Sequence, residues 1–88
     1  MQASMNNSQV KTLDAVFSTP PTTNLEWRRI EILLLALRCE RIEGAGSRVR
    51  FVFNGHVLSI HRPNPAKEAK PYQVKQVKEY LVLLGVKR

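Results

Sequence analysis

The residues best suited to chemistry in this chain are a histidine and the arginines that precede it. His61 closes an alternating run, and Arg48 and Arg50 stand in the run before it. A histidine titrates near neutral pH and can act as acid or base. An arginine offers paired donors that match phosphate oxygens. Ser47, Ser59, Arg62, Lys67, Lys70 and Lys75 add hydroxyls and cations to the same stretch. Together these groups suit a phosphodiester. Each also has a plainer role. A histidine at a strand end before Arg-Pro is more often a surface or capping residue, and strand arginines also guard a sheet edge. Other chemistries are excluded more firmly. The single cysteine, Cys39, rules out an intramolecular disulfide and a thiolate zinc site. Cys39, His56 and His61 are too few and too badly spaced to ligate a metal. No metal and no small-molecule cofactor are expected.

These residues need elements to hold them. Arg48 to Phe53 and His56 to His61 alternate on either side of Asn54-Gly55. Asn-Gly tolerates the positive φ of a tight hairpin turn and so fixes the register. Phe53 then faces His56, Val52 faces Val57, and so on down to Arg48 opposite His61. One face shows Val49, Phe51, Phe53, Leu58 and Ile60, with His56 at its rim, and should be core. The other shows Arg48, Arg50, Ser59 and His61 and should face solvent. Residues 39–43 alternate weakly and suggest a third strand. Before them, Trp27, Ile30, Leu34 and Leu37 recur at helical spacing and predict a helix over about 24–38. Thr23 and Glu26 suggest its capping box, and Arg28, Arg29 and Glu31 its solvent face. After the hairpin, Pro63 and Pro65 end the sheet. Pro71 then opens a helix whose stripe is Val74, Val77, Leu81 and Leu84, closed by Gly85. Lys75 and Lys78 lie off that stripe. Val10, Leu13 and Phe17 suggest a short extra helix over 10–17, and the Pro20-Pro21 stretch a connector. The expected organisation is a flexible N-terminus over 1–9 and one domain over 10–88. Two helices on one side of a three-stranded antiparallel sheet give an α+β fold. Its order, helix–three strands–helix, is that of a double-stranded-RNA-binding domain.

Charge narrows the partner. The chain has 88 residues and a net charge of +7. Its first 40 residues balance four bases against four acids, while the last 48 carry ten against three. Concentrated positive charge favours a polyanion, nucleic acid first or an acidic protein. The longest apolar run, 32–37, is far too short to cross a bilayer, and the N-terminus carries no secretory pattern. A cytoplasmic protein without a membrane role is expected. Neither long helix presents an Arg/Asn/Gln reading face, which disfavours DNA recognition in the major groove.

The run EGAGSRVRF (43–51), the Asn-Gly hairpin, HRPNP (61–65) and YQVKQVKEYLVLLGV (72–86) together resemble the HicA family of bacterial toxins. The likeness extends to LDAVF (13–17) and Trp27 and covers about residues 11–86. It implies a double-stranded-RNA-binding-domain fold, endoribonuclease activity on mRNA without a ribosome, and neutralisation by a HicB-type antitoxin. The family's usual catalytic histidine follows Gly-Ser at the start of the second strand. Here Gly46-Ser47 is followed by Arg48. Many members also have a histidine between the two prolines after the third strand, and here that position is Asn64. The hairpin register offers a substitute. His61 opposite Arg48, with Cβ atoms about 5 Å apart, reaches nearly the same place. The expectation is therefore His61 as general acid/base and Arg48 as phosphate clamp. Ser47, Arg50, Ser59, Arg62, Lys67, Lys70 and Lys75 would contact RNA. The alternative is a non-catalytic RNA-binding module on the same fold.

Overall fold

The structure is a computed structural model describing residues 5–20 and 22–87. It runs α1 (Asn7–Phe17), α2 (Trp27–Ala36), β1 (Glu40–Glu43), β2 (Arg48–Phe53), β3 (His56–His61) and α3 (Pro71–Leu83). The strands form one antiparallel sheet in the order β1-β2-β3. Asn54 and Gly55 take φ of 52° and 83°, the left-handed pair that a two-residue hairpin turn requires. All six expected cross-strand pairs form, from Phe53–His56 to Arg48–His61.

The alternation of β2 and β3 separates the two faces of the sheet. Val49, Phe51, Leu58 and Ile60 are buried, whereas Arg48, Arg50, Ser59 and His61 are exposed. The helices cover the apolar face. Trp27, Ile30, Leu33 and Leu34 of α2 join Val74, Val77 and Leu81 of α3 in the core. α1 packs against both other helices through Leu13 and Val16. Tyr80 is also buried, and its hydroxyl donates to the main-chain oxygens of His56 at 2.9 Å and Phe51 at 3.2 Å. That contact fastens α3 to the hairpin. Burial pushes the Tyr80 phenol up to about 12, with neighbouring Cys39 adding to the shift. Burial likewise raises the Cys39 thiol. Cys39 and Trp27 are core residues, as their places in the pattern suggested.

The helix starts differ from expectation. α1 begins at Asn7 rather than residue 10, because Asn6 and Gln9 form a reciprocal capping box. Residues 7–9 are therefore part of α1. The expectation for residues 1–4, like that for Pro21 in the connector, lies outside the described residues. α2 begins at Trp27 without the Thr23–Glu26 box, and its cap residue Glu26 makes no side-chain cap bond. The chain there pairs instead with the segment before α3. The Trp27 amide donates to the Lys67 carbonyl at 2.9 Å and the Ala69 amide to the Leu25 carbonyl at 2.7 Å. A main-chain pairing thus satisfies one of the amides that a helix start leaves free. Glu31, assigned by periodicity to the solvent face of α2, is buried.

Candidate active site on the open face of the hairpin

The open sheet face carries the candidate residues because the turn register leaves no other arrangement. Arg48 and His61 are directly opposite at the end of the hairpin away from the turn. The Arg62 amide donates to the Ser47 carbonyl at 2.8 Å. That bond marks 47/62 as a hydrogen-bonded pair and leaves 48/61 as a non-hydrogen-bonded one, in which side chains stand closest. Ser47 Oγ lies 3.3 Å from His61 Nδ1. Arg50 and Ser59 are the next pair on the same face. A shallow recess of about 280 Å³ opens beside them, lined by Gly44, Ala45, Arg48, Val49, Arg50 and Ser59.

The loop over residues 44–47 shapes that recess. The Gly44 amide donates to the Arg48 carbonyl at 2.9 Å, and the Arg48 amide to the Ala45 carbonyl at 3.2 Å. A Cβ on Gly44 would sit 3.0 Å from Arg48 Cβ and 3.3 Å from its carbonyl oxygen. A side chain at position 44 would fit only if Arg48 gave way.

Arg62, expected to contact RNA, is engaged with acids in the structure. Its guanidinium is bonded to two carboxylates. Nε and one terminal nitrogen reach Glu31, and both terminal nitrogens reach Glu43 at 2.8 and 2.9 Å. Glu31 also accepts from the Trp27 indole and from Arg41 at 3.0 Å. Burial alone would raise the Glu31 carboxyl. Hydrogen bonds from Arg62, Trp27 and Arg41 outweigh it and hold the group below the usual carboxylate range. Arg62 lowers Glu43 in the same way, and the two acids raise Arg62 further. The side chain therefore joins α2, β1 and the end of β3, and its donors face acids rather than the open sheet.

The lysines divide as well. Lys70 caps α3, and its amide donates to Gln73 Oε1 at 2.8 Å. The same carboxamide donates from Nε2 to the His61 carbonyl at 2.7 Å. Lys70 and His61 are thus linked through one side chain. Lys67 lines a separate recess with Glu26, Trp27 and Arg28. Lys75 lines a groove between α1 and α3 with Val16, Tyr72 and Lys78. Lys78, expected to be exposed, is half-buried, its ammonium 6.0 Å from the centre of the Phe17 ring. The fold brings together His61, Arg48, Ser47, Arg50 and Ser59, and links the Lys70 main chain to His61 through Gln73. It does not bring Arg62, Lys67 or Lys75 to that face.

Two residues that matter here were missed by periodicity, Glu31 and Gln73. Each left a trace in the sequence. Glu31 lies four residues after Trp27, on the buried stripe and not opposite it. Gln73 occupies the third position of a helix opened by Pro71, where a capping-box side chain belongs. Among the described residues no group of three or more His, Cys, Asp or Glu is placed to hold a metal ion. Among them, too, no helix is long and apolar enough to cross a membrane.

Comparison with known proteins gives one match. The model of a family described as the HicA toxin of bacterial toxin-antitoxin matches residues 27–83, well over half of the chain. That span holds α2, the whole sheet and α3 and leaves out α1. No curated protein and no solved structure matches.

Proposed function

The chain belongs to the HicA toxin family of bacterial toxin-antitoxin systems, and from that premise we propose that it is a metal-independent endoribonuclease acting on mRNA. The single observation that carries this reading is the placement of His61 opposite Arg48 on an open, basic sheet face, with Ser47 Oγ at 3.3 Å from the imidazole.

RNA cleavage without a metal needs three things: a base for the 2′-hydroxyl, stabilisation of the charged phosphorane, and a proton for the leaving 5′-oxygen. In this proposal His61 takes the 2′-hydroxyl proton. The 2′-oxygen bonds to phosphorus, and Arg48 donates to the phosphorane oxygens. The bond to the 5′-oxygen then breaks, and the imidazolium returns its proton to that leaving oxygen. The products are a 2′,3′-cyclic phosphate and a 5′-hydroxyl. Ser47 steadies the imidazole, Arg50 and Ser59 hold the neighbouring phosphate, and Lys70 adds charge at the margin. Lys67 and Lys75, on other faces, attract RNA only at long range. Arg62 serves the scaffold.

A toxin family implies an antitoxin. The proposed partner is an acidic HicB-type protein that covers the basic sheet face and blocks RNA, its complementary charge speeding association. The proposed site of action is the cytoplasm, where mRNA is found.

The test is incubation of the purified chain with a structured mRNA in EDTA, beside His61→Ala and Arg48→His. The proposal expects the unaltered chain to cut and His61→Ala to bind RNA without cutting. Binding without cutting by the unaltered chain, with cutting restored in Arg48→His, would mean a non-catalytic RNA-binding module on a toxin scaffold.

A further inference from the structure

The contact between Gln73 and His61 goes beyond what a helix cap needs. Gln73 is 2% exposed and sits beside Val74 and Val77 in the core. Burying a carboxamide costs free energy unless both of its ends are bonded. A capping box uses only one end, the oxygen that accepts from the Lys70 amide at 2.8 Å. The other end crosses to β3 and donates to the His61 carbonyl at 2.7 Å.

The register explains why that carbonyl is free. Because 48/61 is a non-hydrogen-bonded pair, the main-chain groups of His61 point away from β2. The peptide unit that follows His61 is then held at both ends. Its carbonyl oxygen accepts from Gln73, and its N–H, which belongs to Arg62, donates to the Ser47 carbonyl at 2.8 Å. A peptide plane fixed at both ends fixes the direction in which the His61 side chain leaves the backbone. The imidazole retains only its own side-chain rotations, and Ser47 Oγ meets its Nδ1.

We propose that Gln73 is a positioning residue that holds the His61 imidazole against Arg48 for catalysis. This rests on the reading of His61 as the general acid/base. Gln73 touches neither RNA nor the reacting atoms. It acts through the His61 main chain, and it ties the start of α3, with Lys70, to the same point.

The test compares the unaltered chain with Gln73→Leu, Gln73→Glu and His61→Ala, well below each variant's melting temperature. Single-turnover cleavage and RNA affinity are measured separately, across pH. Gln73→Leu removes both bonds. It should lower the cleavage rate by about 10- to 100-fold, the scale of a displacement near 1 Å, while RNA affinity stays within about threefold. Gln73→Glu in this buried place can, when protonated, donate to the His61 carbonyl while still accepting from Lys70. Its rate relative to the unaltered chain should therefore recover as pH falls, and that of Gln73→Leu should not. Two results would overturn the proposal while His61→Ala remains inactive: a folded Gln73→Leu that cuts within twofold of the unaltered chain, or Gln73→Glu with a flat relative pH profile. If His61→Ala itself cuts normally, the reading beneath the proposal fails, and that outcome is distinct from either of these.

Discussion

Replacing Glu31, a buried carboxylate that joins α2 to the sheet, with glutamine should destabilise the fold. The carboxylate is 8% exposed and accepts from Trp27, Arg41 and Arg62. Glutamine keeps the shape but removes the charge and turns an NH₂ toward donors. Breaking a buried ion pair from one side costs about 3–5 kcal/mol. Arg62 keeps Glu43 and its side chain is 27% exposed, so water recovers part of that cost. The expected loss is about 2–3 kcal/mol, which for a domain of this size lowers the melting temperature by about 10–20 °C. Urea unfolding followed by fluorescence suits the measurement, because Trp27 is the only tryptophan and its indole bonds to the altered group. The sign with pH also follows. The Glu31 pKa is lowered in the folded state, so its contribution is fully present above the ordinary carboxylate range. That contribution is lost as pH falls through the depressed value. Glu31→Gln should therefore show a shallower acid limb than the unaltered chain. A loss under about 0.5 kcal/mol, the size of an ordinary surface change, would refute the view that this carboxylate holds α2 to the sheet.

Three further outcomes are expected. Gly44→Ala places a methyl 3.0 Å from Arg48 Cβ; it should destabilise by about 1 kcal/mol and slow cleavage through displacement of Arg48, both seen in one set of melting and rate measurements. Tyr80→Phe removes the hydroxyl from the His56 and Phe51 carbonyls and should cost about 1–2 kcal/mol in chemical denaturation with no change in RNA affinity. Arg50→Ala should weaken RNA binding and reduce the slope of log affinity against log salt by about one phosphate contact, whereas Arg62→Lys should leave that slope unchanged and lower stability.

The parts of this fold that were legible in the sequence are the ones governed by local rules. Asn54-Gly55 set six strand pairs because a two-residue turn admits one register, and that register alone put His61 opposite Arg48. The stripes of Trp27, Ile30 and Leu34 and of Val74, Val77 and Leu81 located both long helices. Most of what was not legible depended on partners distant in sequence. Glu31 looked like a solvent-facing acid until Arg41 and Arg62, ten and 31 residues away, came to meet it. Arg62 looked like a phosphate ligand for the same reason. The start of α2 was misplaced because the partner of the Trp27 amide is Lys67, which no local window contains. Gln73 was overlooked because a polar residue on a helix is taken to face water unless its bonding partners are known.

The most direct test of the whole account is the single-turnover rate of His61→Ala on RNA, read against its RNA affinity and with the product ends identified. The account predicts a fall of at least about 100-fold in rate, affinity within about threefold, and 2′,3′-cyclic phosphate ends from the unaltered chain. A His61→Ala chain that cuts at the unaltered rate would contradict it.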